Sequence, residues 1–137
     1  TGGLEAIPYI RNICILRNPT ERPKGACRVS LEKKKIKVGL ITNSHIKITL
    51  SILNHFKIRK YFDAIVTRSD VKRGKPAPDM ALKACRMLNV KPKDAVLVGD
   101  TENDITAGRR AGCFTIGYGV KGNIKIGKLE EITKFLS

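Results

Sequence analysis

The stretch that most constrains what this chain can fold into is Ala95–Gly112, AVLVGDTENDITAGRRAG. Its first four residues are apolar and rich in β-branched side chains, and a turn follows at once, which predicts a short buried strand. Gly99 then gives a sharp turn, and Asp100 falls where a parallel strand would end. In open α/β sheets that edge is where ligands bind. Asp104 opens a helical pattern in which Ile105, Ala107, Ala111 and Gly112 are the small or apolar packing positions. Two carboxylates on one tight strand-to-helix turn can converge on a point, and a hard cation such as Mg²⁺ takes oxygen ligands of that kind. The structural alternative is that these aspartates only form the turn or cap the helix.

The rest of the chain alternates in the same way. Leu4, Ile7, Ile10 and Cys14 form a helical stripe over residues 4–16, with a short strand at Ile13–Leu16 as the alternative. The run Asn18-Pro19-Thr20-Glu21-Arg22-Pro23 reads as a linker and sets a boundary after residue 22. A second helical stretch over 26–35 ends in three lysines, where cations suit the helix dipole. Lys37–Ile41 reads as the next strand and stops at Thr42-Asn43-Ser44. These small polar side chains suit either an oxyanion cradle or a cap for the following helix. Tyr61–Thr67 reads as a strand, Asp79–Leu88 as a helix, Cys113–Gly117 as a strand, and Tyr118–Gly127 as a Gly-rich basic loop. A closing helix is expected over residues 128–136. Strands alternating with helices predict an α/β fold, a three-layer Rossmann-like parallel sheet with helices on both faces.

Arg73-Gly74-Lys75-Pro76-Ala77-Pro78-Asp79 is a rigid basic turn. Two prolines fix the backbone on either side of Ala77 and so aim Lys75 in one direction. A lysine held this way acts as a point charge on a phosphate or on clustered carboxylates.

Composition narrows the function classes. A chain of 137 residues is one domain's worth, and 42% apolar with 28% charged residues is globular. No apolar run reaches the length of a membrane span and no signal-peptide pattern opens the chain. Cys14, Cys27, Cys85 and Cys113 are scattered without zinc-type spacing, and read as reduced packing cysteines of a cytoplasmic protein. His45 and His55 read as ordinary helix residues. The formal charge of +15 attracts anions of any kind. At 5% aromatic residues, with no Trp, there is no stacking platform behind that charge, so nucleic acid is the weaker expectation.

Three segments in order carry a resemblance. Leu40-Ile41-Thr42-Asn43-Ser44, then Gly74-Lys75-Pro76-Ala77-Pro78-Asp79, then Val98-Gly99-Asp100-Thr101-Glu102-Asn103-Asp104 resemble the haloacid dehalogenase-like hydrolase superfamily. The phrase Asp104-Ile105, Ala107-Gly108 and Ala111-Gly112 is similar to its phosphoglycolate phosphatase-like branch, which carries a helical cap. The resemblance covers residues 23–137 as the core domain and makes residues 1–22 the remnant of a cap helix with its linker. It implies a Mg²⁺-dependent phosphatase acting on a small phosphorylated metabolite through an aspartyl-phosphate. Thr42 then resembles the hydroxyl that binds the transferring phosphoryl group, and Asn43 beside it is implied to help bind that group. Lys75 resembles the lysine that neutralises nucleophile and phosphate. Asp100 resembles a Mg²⁺ ligand, and Asp104 a second acidic position supporting the metal directly or through water.

The chain departs from that pattern at its front. The family's nucleophile is the first Asp of an Asp-x-Asp pair on the central strand. The aspartates here are Asp63, Asp70, Asp79, Asp94, Asp100 and Asp104, and no two are two apart. The expectation is therefore a sheet lacking its central first strand, with unpaired edges that favour a homodimer. Two explanations follow from this: a piece of a longer phosphatase, or a non-catalytic relative that keeps a phosphate- or partner-binding shell.

Overall fold

A computed structural model describes residues 13–16, 37–128 and 131. Six strands form one sheet: β1 (Ile13–Leu16), β2 (Lys37–Ile41), β3 (Ala64–Val66), β4 (Ala95–Gly99), β5 (Phe114–Tyr118) and β6 (Ile124–Ile126). Their spatial order is β3-β2-β1-β4-β5-β6. Three helices, α1 (Ile46–His55), α2 (Asp79–Met87) and α3 (Glu102–Ala111), complete the described elements of α-helix.

The sheet is parallel wherever a helix links its strands. β2 and β3 pair in parallel across α1, and β4 and β5 across α3, the crossover geometry that a β–α–β sequence dictates. Alternate side chains along each strand point to opposite faces, and the core divides accordingly. On one face Ile41, Ala95 and Leu97 pack with Met80, Ala81, Ala84 and Cys85 of α2 and Ala111 of α3. On the other, Leu40 packs with Leu53 of α1 and Ile58, while Val98 packs with Ile116 and Ile126. Gly108 on α3 is what lets that helix lie close to the sheet. A Cβ there would sit 2.9 Å from Thr115 Cγ2 and 3.2 Å from Leu97 Cβ.

The centre of the sheet differs from the expectation. The gap between β2 and β4 is filled by β1, which runs antiparallel to both neighbours. Ile13 pairs with Leu40 and Val98, and Leu16 with Lys37 and Ala95. Of the two readings of Ile13–Leu16 the strand therefore holds. These four residues belong to the core sheet and not to a cap helix, and the inner edges of β2 and β4 are paired. Apolar β-branched residues bordered by a Pro-containing stretch favour this outcome over a helix that Pro8 would interrupt. The rest of the helix expected over 4–16, the helix over 26–35, all of the closing helix over 128–136 except residues 128 and 131, the linker at 18–23 and the boundary at residue 22 lie outside the described residues.

Smaller differences have local causes. The strand expected at Tyr61–Thr67 is confined to Ala64–Val66, because Arg59–Tyr61 forms a single 3-10 turn and Asp63 Oδ2 accepts the Val38 N–H at 2.8 Å. The stretch expected to be only a loop contains β6. Asn123 makes this possible: its Oδ1 accepts the Thr115 N–H at 2.8 Å and the Thr115 hydroxyl at 3.0 Å, stapling the loop to β5. Among the described residues no helix is long and apolar enough to cross a membrane.

A central antiparallel strand depends on its backbone donors. Cys14→Pro removes one of them between two partners. The unfolding midpoint should fall by several degrees in a thermal melt, and an unchanged midpoint would show that β1 does not hold the sheet centre.

Candidate active site

The site forms where β2 and β4 end, on the edge at which an α/β sheet binds ligands. Asp100 directly follows β4, and Thr101 then caps α3. Thr101 Oγ1 accepts the Asp104 N–H at 3.2 Å, and Asp104 Oδ2 returns the bond to the Thr101 N–H at 3.2 Å. This reciprocal capping box satisfies donors that a helix start leaves open. The same Oδ2 also accepts the Asp100 N–H at 3.2 Å, so Asp104 fixes the backbone of the whole turn. Its carboxylate lies where the helix dipole favours negative charge.

Gly99 serves this turn by its size. Its φ is not in the positive region, but a Cβ would fall 2.3 Å from Asp104 Cβ. Only a residue without a side chain lets Asp104 lie this close to the end of β4.

Asp104 is 1% exposed and Lys75 7% exposed. Lys75 Nζ donates to Asp104 Oδ1 at 2.6 Å, an ion pair closed off from water. Burial holds the Lys75 ammonium below its ordinary range, opposed by attraction to Asp104, by the hydrogen bond to it and by the Asp100 charge. Asp100 lies beside the pair. Its Oδ1 is buried, and the carboxylate is engaged electrostatically by Lys75.

From β2 comes the second wall. Thr42 donates its backbone N–H to Val66 O at 3.1 Å, and its Oγ1 accepts the Ser44 N–H at 3.1 Å. The hydroxyl proton of Thr42 thus remains to donate elsewhere. Asn43 reaches across to the Lys75 backbone, with Nδ2 donating to Lys75 O at 3.3 Å and Oδ1 accepting the Lys75 N–H at 3.0 Å. The structure therefore brings Asn43, Lys75, Asp100 and Asp104 together, with Thr42 next in the chain to Asn43.

Two residues escaped the sequence reading. Thr101 is the helix cap, and the Thr-x-x-Asp spacing of Thr101 and Asp104 was the signal for it. His45, read as an ordinary helix residue, is the cap of α1: its Nδ1 accepts the Lys47 N–H at 3.3 Å. Among the described residues no group of three or more His, Cys, Asp or Glu is placed to hold a metal ion. The carboxylates at this edge are that of Asp100 and, behind it, that of Asp104, which is already bonded at both oxygens.

Residues 29–118 match the family described as haloacid dehalogenase-like hydrolase. The chain belongs to this family. The phosphoglycolate phosphatase of Escherichia coli K12 is 34% identical over 88 residues, which are 64% of this chain and 35% of that protein. The pyrophosphatase PpaX of Bacillus cereus is 36% identical over 94 residues, 67% of this chain and 44% of that relative. These relatives support a place in the phosphoglycolate phosphatase-like branch, and the chain spans less than half of either. Among solved structures, a phosphatase of the same superfamily from Thermococcus onnurineus superposes with a TM-score of 0.72 at 29% identity. It is covered over 53% of its length by 78% of this chain. A superfamily hydrolase from Ehrlichia chaffeensis gives 0.70 at 27% identity, over 78% of this chain and 52% of that one.

The buried pair makes opposite demands on single and double substitution. Lys75→Met or Asp104→Asn should each destabilise by about 3–5 kcal/mol in urea unfolding, since each leaves its partner buried without its counter-charge. Lys75→Met combined with Asp104→Asn should cost clearly less than the two single changes summed. Additive costs would show that the charges do not interact.

The pair also sets a pH dependence. Because burial lowers the proton affinity of Lys75, the unfolded chain binds more protons between the lowered value and the ordinary 10.5. Across that window this lysine makes the fold more stable as pH rises. The stability of the parent chain relative to Lys75→Met should therefore increase with pH there, and a decrease would contradict a buried, desolvated ammonium.

Proposed function

We propose that this chain carries the phosphate- and metal-binding part of a phosphatase-type hydrolase acting on a small phosphate monoester. The observation that carries the reading is the buried Lys75 ammonium, fixed between Asp104 and Asp100 at the carboxyl edge of β4 and tied to the end of β2. Phosphoryl transfer depends on positioning and on positive charge around the equatorial oxygens. A lysine removed from water exerts that charge with little screening.

Each residue then has a role in the same few ångströms. Thr42 donates its free hydroxyl proton to a phosphoryl oxygen. Lys75 supplies the positive charge, with the Asn43 amide on its backbone. Asp100 contributes a carboxylate oxygen to Mg²⁺, and Asp104 holds the turn that presents Asp100. The cation would neutralise charge on the phosphoryl oxygens and polarise them. The bond to phosphorus needs a nucleophile, and no Asp-x-Asp pair in the sequence provides one. The chain alone is accordingly expected to bind phosphate better than it turns substrate over.

The test compares hydrolysis of a generic phosphomonoester with Mg²⁺ by the parent chain and by Asp100→Asn, alongside titration of orthophosphate into both. Saturable orthophosphate binding with turnover near background supports the proposal, as does turnover that Asp100→Asn abolishes. Absence of both binding and turnover in the parent chain would overturn it.

A further inference from the structure

The segment that carries Lys75 belongs to no strand or helix, yet its side chain reaches a single buried point. Its backbone must be held by something other than a ladder. Arg110 Nη1 donates to Pro76 O at 3.4 Å, and Gly74 O accepts the Ala77 N–H at 3.1 Å, closing a turn within the segment itself. Neither touches the polar backbone groups of Lys75. Both of those groups are taken by one side chain: the Asn43 amide accepts from the Lys75 N–H at 3.0 Å and donates to the Lys75 carbonyl at 3.3 Å.

An amide side chain holds its N–H donors and its carbonyl acceptor in one plane, and one of each suffices to match the pair that a peptide group offers. Asn43 thereby gives Lys75 what a neighbouring strand would give, and it does so from the residue two beyond the end of β2. Gly74 is the complement of this contact. A Cβ on it would lie 2.6 Å from Asn43 Oδ1, so any side chain there displaces the amide. Arg68 Cδ, at 2.9 Å from the same point, closes the other side.

We propose that Asn43 is a positioning residue: its amide sets the location of the Lys75 ammonium through the Lys75 backbone, and it acts on a bound anion through that lysine. The anion part of this inference rests on the phosphate-site reading above; the positional part does not. The amide spends one donor and one acceptor on Lys75, so truncating it frees the segment, and Gly74→Ala breaks the same contact from the opposite side. An Asn43→Asp side chain retains the acceptor for the Lys75 N–H and loses the donor, which makes it the conservative intermediate.

The experiment uses the full chain with ¹⁵N-labelled lysine. A buried ammonium bonded to Asp104 exchanges slowly with water and gives a resolved ¹H–¹⁵N correlation at Lys75, as solvated lysines do not. Asn43→Ala and Gly74→Ala should each broaden that correlation by raising exchange about tenfold or more, the effect of losing a buried hydrogen bond. Asn43→Asp should fall between them and the parent. Circular dichroism on the same samples separates this from unfolding, and should one variant fail to fold, the others decide. A Lys75 correlation unchanged in the folded variants, or absent from the parent, would overturn the proposal.

Orthophosphate titration supplies the second readout. Asn43→Ala should weaken binding in the parent background and add no further loss on Lys75→Met. A loss of equal size in both backgrounds would mean that Asn43 contacts the anion itself, which also overturns the proposal. A parent chain that binds no orthophosphate would sink the phosphate-site reading while leaving the ammonium readout to judge Asn43.

Discussion

An ammonium and a carboxylate 2.6 Å apart, each almost wholly removed from water, are the constraint around which this molecule is arranged. Burying either charge alone carries a large desolvation penalty, and their attraction offsets it only when the geometry is good and the remaining polar atoms are satisfied. The surroundings meet that condition one group at a time. Asp104 Oδ2 is bonded by two backbone N–H groups, Gly99 clears the space for the aspartate, and the Asn43 amide fixes the lysine's backbone. The turn after β4, the cap of α3 and the segment before α2 are thus one electrostatic unit assembled from distant parts of the sequence.

The sheet positions this unit and also limits it. β2 and β4 both run toward the site, so the residues that follow them, Thr42 and Asp100, are delivered to its edge. β1 runs the other way: Ile13 is its site-side end, beside Leu40 and Val98, and Leu16 its far end, beside Lys37 and Ala95. A strand in that direction closes the backbone hydrogen bonding of the sheet centre and has its C-terminal end, Leu16, at the edge away from the site. The middle of the sheet therefore contributes pairing to stability, while the chemistry-bearing side chains come from its two neighbours and from the Lys75 turn.

Much of this was legible in the sequence because the local signals agree with one another. Ala95–Gly112 carries strand, turn, cap and helix in one register, and α2, α3 and the strands β2, β4 and β5 lie within a residue or two of where the sequence pattern places them. Asp100, Asp104 and Lys75 stood out by residue type and by the rigidity of the turns bearing them. What was not legible depends on contacts between distant residues. The direction of β1 is decided by which neighbours it finds, and four apolar residues look alike in a strand and on a helix. β6 depends on Asn123 reaching back to Thr115. The grip of Asn43 on Lys75 spans 32 positions, and nothing near Asn43 announces it. By sequence Gly99 is only a turn former, whereas the structure uses its missing side chain to admit Asp104.

The most direct test of this account is a crystal structure of the chain with orthophosphate and Mg²⁺. The account predicts phosphate at the carboxyl edge of β2 and β4, with an oxygen within hydrogen-bond distance of Lys75 Nζ and of Thr42 Oγ1, and Mg²⁺ on Asp100. Phosphate bound elsewhere, with Thr42 and Lys75 both untouched by it, would show that the buried pair is structural and that the site is not a phosphate site.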